Sequence, residues 1–214
     1  LGLDEKNLAT NPEIGRFIPI SLIRNGDDVA NTVNLICELV IRQFRDGVKF
    51  IPAMEWAVNE LIDNIVIHAE SPVPGVVCAQ SYPQINQLSV AICDMGRGIS
   101  GSLATTREIE SDALALEQAL TRGVTRDPEV GQGNGMAGSL EICRANAGSL
   151  SLWSGEAMFN MSNGKENSTI EIDRVQGTGL CLQMKTDNPV DLRDTWIAGG
   201  DWSYIDASAQ NFVD

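Results

Sequence analysis

The stretch that decides the fold is Pro52–His68, which reads PAMEWAVNELIDNIVIH. Its apolar residues recur three and four positions apart, which is typical of a helix with one face in a core. These residues are Met54, Ala57, Val58, Leu61, Ile62 and Ile65. Pro52 suits the first turn of a helix, so we place the helix start there. Glu60 and Asn64 are four residues apart and therefore share a face of this helix.

Outward from this helix the pattern changes to strands. Val76–Ser81 and Gln87–Cys93 are apolar runs joined by a turn at Pro83–Asn86. Three further strands are predicted at Ser149–Trp153, Ser168–Asp173 and Thr178–Met184. Because the last three strands have no helices between them, a doubly wound parallel sheet is disfavoured. We expect an α+β fold, namely a two-layer α/β sandwich whose mixed, mostly antiparallel sheet has helices on one face.

The remaining periodic segments complete this layout. Arg16–Ile23 is predicted to be an edge strand because it contains Pro19. Helical spacing is found in Val29–Phe44 and in Asp112–Leu120. A third helix is predicted to follow the glycine-rich segment and to end near Ala145.

Composition limits the classes of function. The chain has 214 residues, of which 43% are hydrophobic, so one domain with a good core is expected. Its formal net charge of −14, without any run of Lys or Arg, argues against nucleic-acid binding. No apolar run reaches the roughly 18 residues that a membrane span needs. Leu1–Thr10 is polar and does not resemble a signal peptide, so a cytoplasmic location is expected.

The five cysteines are not spaced as a metal site or a disulfide framework. Their number is odd, no two form a Cys-x-x-Cys pair, and each lies in an apolar run. They are Cys37, Cys78, Cys93, Cys143 and Cys181. We therefore expect buried free thiols.

Three segments besides the helix could carry chemistry. Asp94 ends a predicted strand and is followed by Gly96 and Gly98, which allow close approach of a ligand to the backbone. Gly131–Gly135, with sequence GQGNG, precedes a helix, and such turns bind phosphates through free N–H groups. Thr178 lies between two glycines before the last predicted strand. Taken singly, each segment also fits a structural role, such as a β-turn or a linker.

Taken together, in this order and spacing, the segments resemble the nucleotide-binding elements of the GHKL (histidine kinase-like, Bergerat fold) ATPase superfamily. Glu60–His68 resembles the N-box, and Asp94–Ile99 resembles the first glycine box. Gly131–Ile142 resembles the second glycine box, and Thr178 resembles the threonine before the final strand. The resemblance covers about residues 17–186.

The resemblance implies a role for each matched position, with ATP and Mg²⁺ as cofactors. Asn64 would ligate Mg²⁺, and Glu60 would act as the general base. Asp94 would accept a hydrogen bond from the adenine amine, assisted by Thr178. The other implied nucleotide-binding positions are Gly96, Gly98, Gly131, Gly133 and Gly135. A mobile lid is implied at about residues 100–130, from which Arg122 or Arg126 could reach the phosphates.

The layout is closest to anti-sigma-factor serine/threonine kinases and to the ATP-binding domains of histidine kinases. The resemblance therefore implies a protein kinase or a slow ATPase in bacterial signalling. Its partners would be ATP or ADP and a protein substrate, and a homodimer is left open. A nucleotide-dependent switch without turnover and a relative that has lost its nucleotide are the alternatives. The expected division is a flexible segment at 1–15, the ATP-binding domain at 16–186 and a C-terminal extension at 187–214.

Overall fold

The computed structural model describes residues 15–45, 47–124, 135–166 and 169–195. The strands are β1 (Phe17–Ile23), β2 (Gly75–Tyr82), β3 (Gln87–Asp94), β4 (Ser149–Ser162), β5 (Lys165–Glu166) and β6 (Ile170–Lys185). The helices are α1 (Gly26–Gln43), α2 (Gly47–His68), α3 (Gly98–Leu103), α4 (Asp112–Ala119) and α5 (Gly135–Ala145). Among these described helices, none combines the length and the apolar composition that crossing a membrane would require.

The strands form one sheet in the order β1-β2-β3-β6-β4-β5. Every pairing in the described residues is antiparallel, so the expected antiparallel character is confirmed and no parallel pair is seen there. β1 is an edge strand, and its register with β2 shifts between Ile18 and Ser21, around Pro19. Proline lacks the N–H that a central strand would need, which suits this edge position.

The sheet and the helices form two layers. Along β2, β3 and β4, and along β6 from Leu180 onwards, alternate side chains are buried, because successive residues of a strand point to opposite faces. The buried set packs with apolar side chains of α1, α2 and α5 in one core. Each fully buried Leu or Ile contributes about 1.5–3 kcal/mol relative to exposure, so this core holds the layers together. The expected α+β, two-layer arrangement is found in this coarse form.

Helix α2 begins earlier than predicted. It starts at Gly47, and Pro52 is its sixth residue rather than its first. A proline at that position removes one helical hydrogen bond, which disfavours a helix running through it. Phe50 and Ile51, which precede it, are buried in the core. Their burial offsets the lost hydrogen bond and keeps the turn before the proline helical.

The two strands predicted at Ser168–Asp173 and Thr178–Met184 form a single strand. β6 runs without a break from Ile170 to Lys185 and includes the Gly177–Gly179 segment that the sequence marks as a turn. Its pairing with β4 shifts register around Gly155: Ser154 pairs with Thr178 but Gly155 pairs with Val175, so two extra residues lie on β6. One of them, Gly177, has φ +76°, so the predicted turn is a bulge within β6 rather than a break between two strands.

The segment assigned as a mobile lid is structured over its described half. Helix α3, which was not predicted, buries Ile99 and Leu103, and α4 buries Ala115 and Leu116. The two helical parts of this segment, Gly98–Leu103 and Asp112–Ala119, therefore pack against the core, and the mobility of the segment as a lid stays a prediction. The remainder, with Arg126, lies outside the described residues.

The prediction of five buried free thiols is correct only in part. All five are free, and Cys37 and Cys143 are buried, but Cys78 and Cys181 are half-buried and Cys93 is exposed. Cys93 lies between Ile92 and Asp94 on the face of β3 that points away from the helices. The strand's alternation, rather than the apolar run around each cysteine, decides which thiols meet solvent.

Candidate functional site

The polar face of α2 carries the first two predicted residues. Glu60 and Asn64 are both half-buried, one turn apart, and the Asn64 amide Nδ2 donates to the Glu60 carbonyl at 2.9 Å. This hydrogen bond uses the amide nitrogen and leaves Oδ1 as the atom suited to a cation. Burial raises the pKa of the Glu60 carboxyl, and the neighbouring Asp63 carboxylate raises it further.

The start of α5 lies against Glu60. Gly135 is the first residue of α5, and a Cβ there would collide with the Glu60 carboxylate. The two helices meet again one turn later, where the buried Ser139 hydroxyl lies 2.8 Å from the Gly135 carbonyl of its own helix and 3.2 Å from the Ala57 carbonyl of α2. A side chain larger than hydrogen at Gly135 would therefore separate the helices or displace Glu60. The N-terminus of α5 and its partial positive charge are thereby placed beside the carboxylate.

Asp94 forms the other end of the site. It lies opposite Thr178 on the neighbouring strand β6, and its carboxylate accepts hydrogen bonds from the Thr178 backbone and hydroxyl. The Gly96 N–H also donates to Asp94 Oδ1, at 2.8 Å. Burial raises the pKa of Asp94, and these hydrogen bonds from Gly96 and Thr178 oppose that shift because they favour the charged form.

The residues after Asp94 form a loop, Met95–Arg97, which we call the β3–α3 loop. It is fixed to the end of α2, because the Arg97 N–H donates to the Ala69 carbonyl at 2.9 Å. Gly96 touches the same carbonyl so closely that a Cβ would not fit. Arg97 also forms an ion pair with Glu70. Ala69 follows Glu60 by nine residues, so α2 separates the two ends of the site by about 13 Å along its axis.

A buried hydroxyl that the sequence analysis did not single out supports the loop from the sheet. Ser154 lies opposite Thr178 on β4, so Asp94, Thr178 and Ser154 form one row across three strands. Its Oγ accepts a hydrogen bond from the Ile99 N–H and donates to the Gly177 carbonyl. A serine inside an apolar strand gives no signal of such a role in the sequence.

A second missed group, Asp112, connects the nearby helices. Its carboxylate accepts hydrogen bonds from the Ser100 hydroxyl of α3 and, at 2.8 Å, from the Glu156 N–H of β4. Asp112 thereby ties the start of α4 to α3 and to the irregular part of β4. The only hint in the sequence is its position next to Ser111, the N-cap of α4.

The structure brings Glu60 and Gly135 together in the C-terminal half of α2, with Asn64 one turn further along the helix. It places Asp94, Gly96 and Thr178 together beside Ala69, the residue that follows this helix. Gly98 follows the β3–α3 loop with φ +73°, a conformation that favours glycine. Gly131 and Gly133 lie outside the described residues.

A separate cavity of about 490 Å³ touches this site from the side. It shares Gly96 and Arg97 with the β3–α3 loop. Its other lining residues are Glu70, Pro72, Val73, Met95 and Gln176. Because neither α2 polar residue lines it, this cavity does not join the two ends of the site.

The described residues contain no group of three His, Cys, Asp or Glu side chains placed to hold a metal ion. A cation bound at Asn64 would therefore need most of its ligands from water or from a phosphate-bearing ligand. That pattern fits Mg²⁺, which keeps several waters and binds few protein atoms.

Comparison of the sequence with protein-family models and with curated protein sequences finds no match. The assignment of this site therefore rests on the residues and their geometry.

Proposed function

We propose that this chain is a GHKL-type domain of Bergerat fold that binds ATP with Mg²⁺. Its activity would be transfer of the γ-phosphoryl group to a serine or threonine of a partner protein, or slow hydrolysis of ATP. The order of motifs along the sequence supports this proposal, as does the antiparallel sheet covered by helices on one face. A kinase of the anti-sigma type is the closest match in layout.

One observation carries the proposal. Both glycine segments that resemble nucleotide-binding boxes are in contact with α2: Gly135 meets Glu60, and Gly96 meets the carbonyl of Ala69. Segments about 40 residues apart in the chain thus lie beside the C-terminal half of α2 and the residue that follows it. A ligand that contacts both segments would account for their placement beside one helix.

The Asp94 end suits a base with an exocyclic amine. A half-buried carboxylate that already accepts from Gly96 and Thr178 is held in one orientation and retains acceptor capacity. Adenine presents an amine donor at the position where guanine presents a carbonyl acceptor. The carboxylate would therefore favour adenine over guanine nucleotides.

The Glu60 end suits phosphoryl transfer. Burial raises the pKa of Glu60 towards the range in which a carboxylate accepts a proton efficiently at neutral pH. Glu60 would take the proton of the attacking hydroxyl or water, while the α5 N-terminus favours the negative phosphates. Mg²⁺ held by Asn64 would supply charge neutralisation at the phosphates.

The test is a calorimetric titration with ATP, with and without Mg²⁺, on the wild type and on Asn64→Ala. We expect binding to the wild type that is strengthened by Mg²⁺, and loss of that Mg²⁺ effect in the variant. GTP titrated in the same way should bind at least tenfold more weakly. Absence of ATP binding at millimolar concentration in the presence of Mg²⁺ would overturn the proposal.

Turnover separates a kinase or ATPase from a nucleotide-dependent switch. Phosphate release or labelling of a partner protein by [γ-³²P]ATP, abolished by Glu60→Ala, would support the enzyme. Nucleotide binding without either product would favour the switch, in which a bound nucleotide changes a partner surface.

A further inference from the structure

The hydroxyl of Ser154 joins two segments that are distant in the sequence. Ser154 is 2% exposed, and its Oγ accepts a hydrogen bond from the Ile99 N–H at 2.9 Å. The same Oγ donates to the Gly177 carbonyl at 3.0 Å. One side chain thus satisfies two buried backbone groups, each of which would otherwise cost free energy.

These two backbone groups adjoin the residues proposed to bind adenine. Ile99 follows the β3–α3 loop that begins after Asp94, and Gly177 immediately precedes Thr178. Because Asp94 and Thr178 pair across β3 and β6, the spacing between the two segments determines how their side chains meet. Ser154 lies on β4, directly opposite Thr178, and its hydroxyl is hydrogen-bonded to both segments.

The backbone at Gly98 packs tightly against the Ser154 hydroxyl. A Cβ on Gly98 would lie 2.8 Å from Ser154 Oγ, so the loop passes directly over the hydroxyl. The register of β4 against β6 shifts just after Ser154. Within the shifted stretch, the Glu156 N–H donates to Asp112 at the start of α4. This hydrogen bond anchors β4 two residues after Ser154, which helps to keep Ser154 in place.

We propose that Ser154 is a positioning residue for adenine recognition, one that sets the geometry of Asp94 and Thr178 without contacting the nucleotide. This inference rests on the proposed ATP-binding function. Loss of the hydroxyl leaves the Ile99 N–H and the Gly177 carbonyl unsatisfied, so both segments can shift relative to each other. Asp94 then no longer presents its carboxylate in the orientation that the exocyclic amine requires.

The test compares Ser154→Ala with Ser81→Ala, a matched control at the other end of the sheet. Ser81 is also 2% exposed, and its hydroxyl also donates to a backbone carbonyl, that of Arg16, at 3.0 Å. Ser154→Ala should be the more destabilised variant, because it leaves two backbone groups without their partner, whereas in Ser81→Ala the Arg16 carbonyl keeps the Ser81 N–H. At a temperature where both are fully folded, we expect ATP affinity to fall about tenfold in Ser154→Ala only.

Two readouts distinguish positioning of the adenine end from a general structural defect. ATP and ADP should lose affinity by the same factor in Ser154→Ala, and the ratio of ATP affinities with and without Mg²⁺ should stay that of the wild type. Without any nucleotide, hydrogen exchange of the Ile99 amide should be faster in this variant than in Ser81→Ala.

The outcomes separate the inference from the function on which it rests. If the wild type binds ATP and Ser154→Ala binds it equally well, the positioning role is overturned and the proposed function stands. An affinity loss of the same size in Ser81→Ala would also overturn the role, since it would reflect stability alone. A wild type that binds no ATP overturns both.

Discussion

Asp94 and Thr178 lie directly opposite each other on β3 and β6, and Thr178 donates to the Asp94 carboxylate through its backbone and its hydroxyl. They are separated by more than 80 residues of sequence, and the glycines beside each residue do not by themselves indicate that the two meet. The pairing holds the carboxylate at the end of β3, next to the β3–α3 loop. It is the structural basis for the first prediction.

Asp94→Asn should weaken ATP binding by a factor on the order of a hundred, because an amide presents a donor where the adenine amine needs an acceptor. Calorimetry at neutral pH measures this loss. Thr178→Ser is the matched control, since it retains both hydrogen-bond donors, and it should bind ATP as the wild type does. Unchanged affinity in Asp94→Asn would contradict the assignment of the adenine end.

Glu60→Ala should reduce turnover at least about a hundredfold while ATP binding is retained, because a general base acts on the transition state. Phosphate release under saturating ATP measures the effect. The control is Glu141→Ala, which removes a half-buried carboxylate of α5 that pairs with Arg144 on its own helix. Equal turnover in wild type and Glu60→Ala would show that Glu60 is not the base.

Glu60→Gln should change how the free energy of unfolding depends on pH. The folded-state pKa of Glu60 is raised above its ordinary value of 4.5. A raised carboxyl pKa means that the folded protein binds the Glu60 proton more tightly than the unfolded chain does. Protonation of Glu60 therefore stabilises the fold below pH 4.5, and this stabilisation is lost as the pH rises through the folded-state pKa. The variant should therefore be more stable than the wild type at pH 7, and this advantage should shrink towards pH 4. Urea unfolding at both pH values tests this, and an equal difference at the two would refute it.

Gly135→Ala should destabilise the fold by about 0.5–1.5 kcal/mol, because its Cβ would overlap the Glu60 carboxylate and force that flexible side chain out of its rotamer. It should also weaken ATP binding. Gly26→Ala is the matched control, as Gly26 is likewise the first residue of a helix, and a Cβ there meets nothing within 4 Å. The control should be neutral or stabilising by up to about 1 kcal/mol. Similar melting temperatures for the two variants would argue against the tight contact between α2 and α5.

Thiol labelling should distinguish the cysteines by position in the sheet and helices. Burial raises the pKa of Cys37 and of Cys143 to about 12, so both are protonated and shielded at pH 8. Cys93 is exposed and should react with iodoacetamide first. Mass spectrometry of tryptic peptides after brief labelling measures the order, and early modification of Cys37 would contradict the packing of α1.

Several elements followed from the sequence because their signals are local. The apolar spacing of three and four predicted α1, α2 and α4, and two apolar runs joined by a turn predicted β2 and β3 to within a residue or two. The preference of proline for the first turn of a helix placed the start of α2 too late. Burial of Phe50 and Ile51 offsets the hydrogen bond that Pro52 cannot form, so the helix begins before the proline. Gly177–Gly179 suggested a turn between two strands, and it forms a bulge within β6 instead: Gly177 has φ +76°, while Thr178 and Gly179 pair with strands on both sides.

The sequence by itself determined the fold class and the candidate residues, because helix and strand periodicity and glycine placement depend on neighbours a few positions away. Only the tertiary structure decided which of those residues meet. Contact of Gly135 with Glu60, pairing of Asp94 with Thr178, and the bridge from Ser154 to Ile99 and Gly177 each join distant segments. Strand register and helix packing create these contacts, and both arise from burial of the whole core rather than from any short stretch of residues.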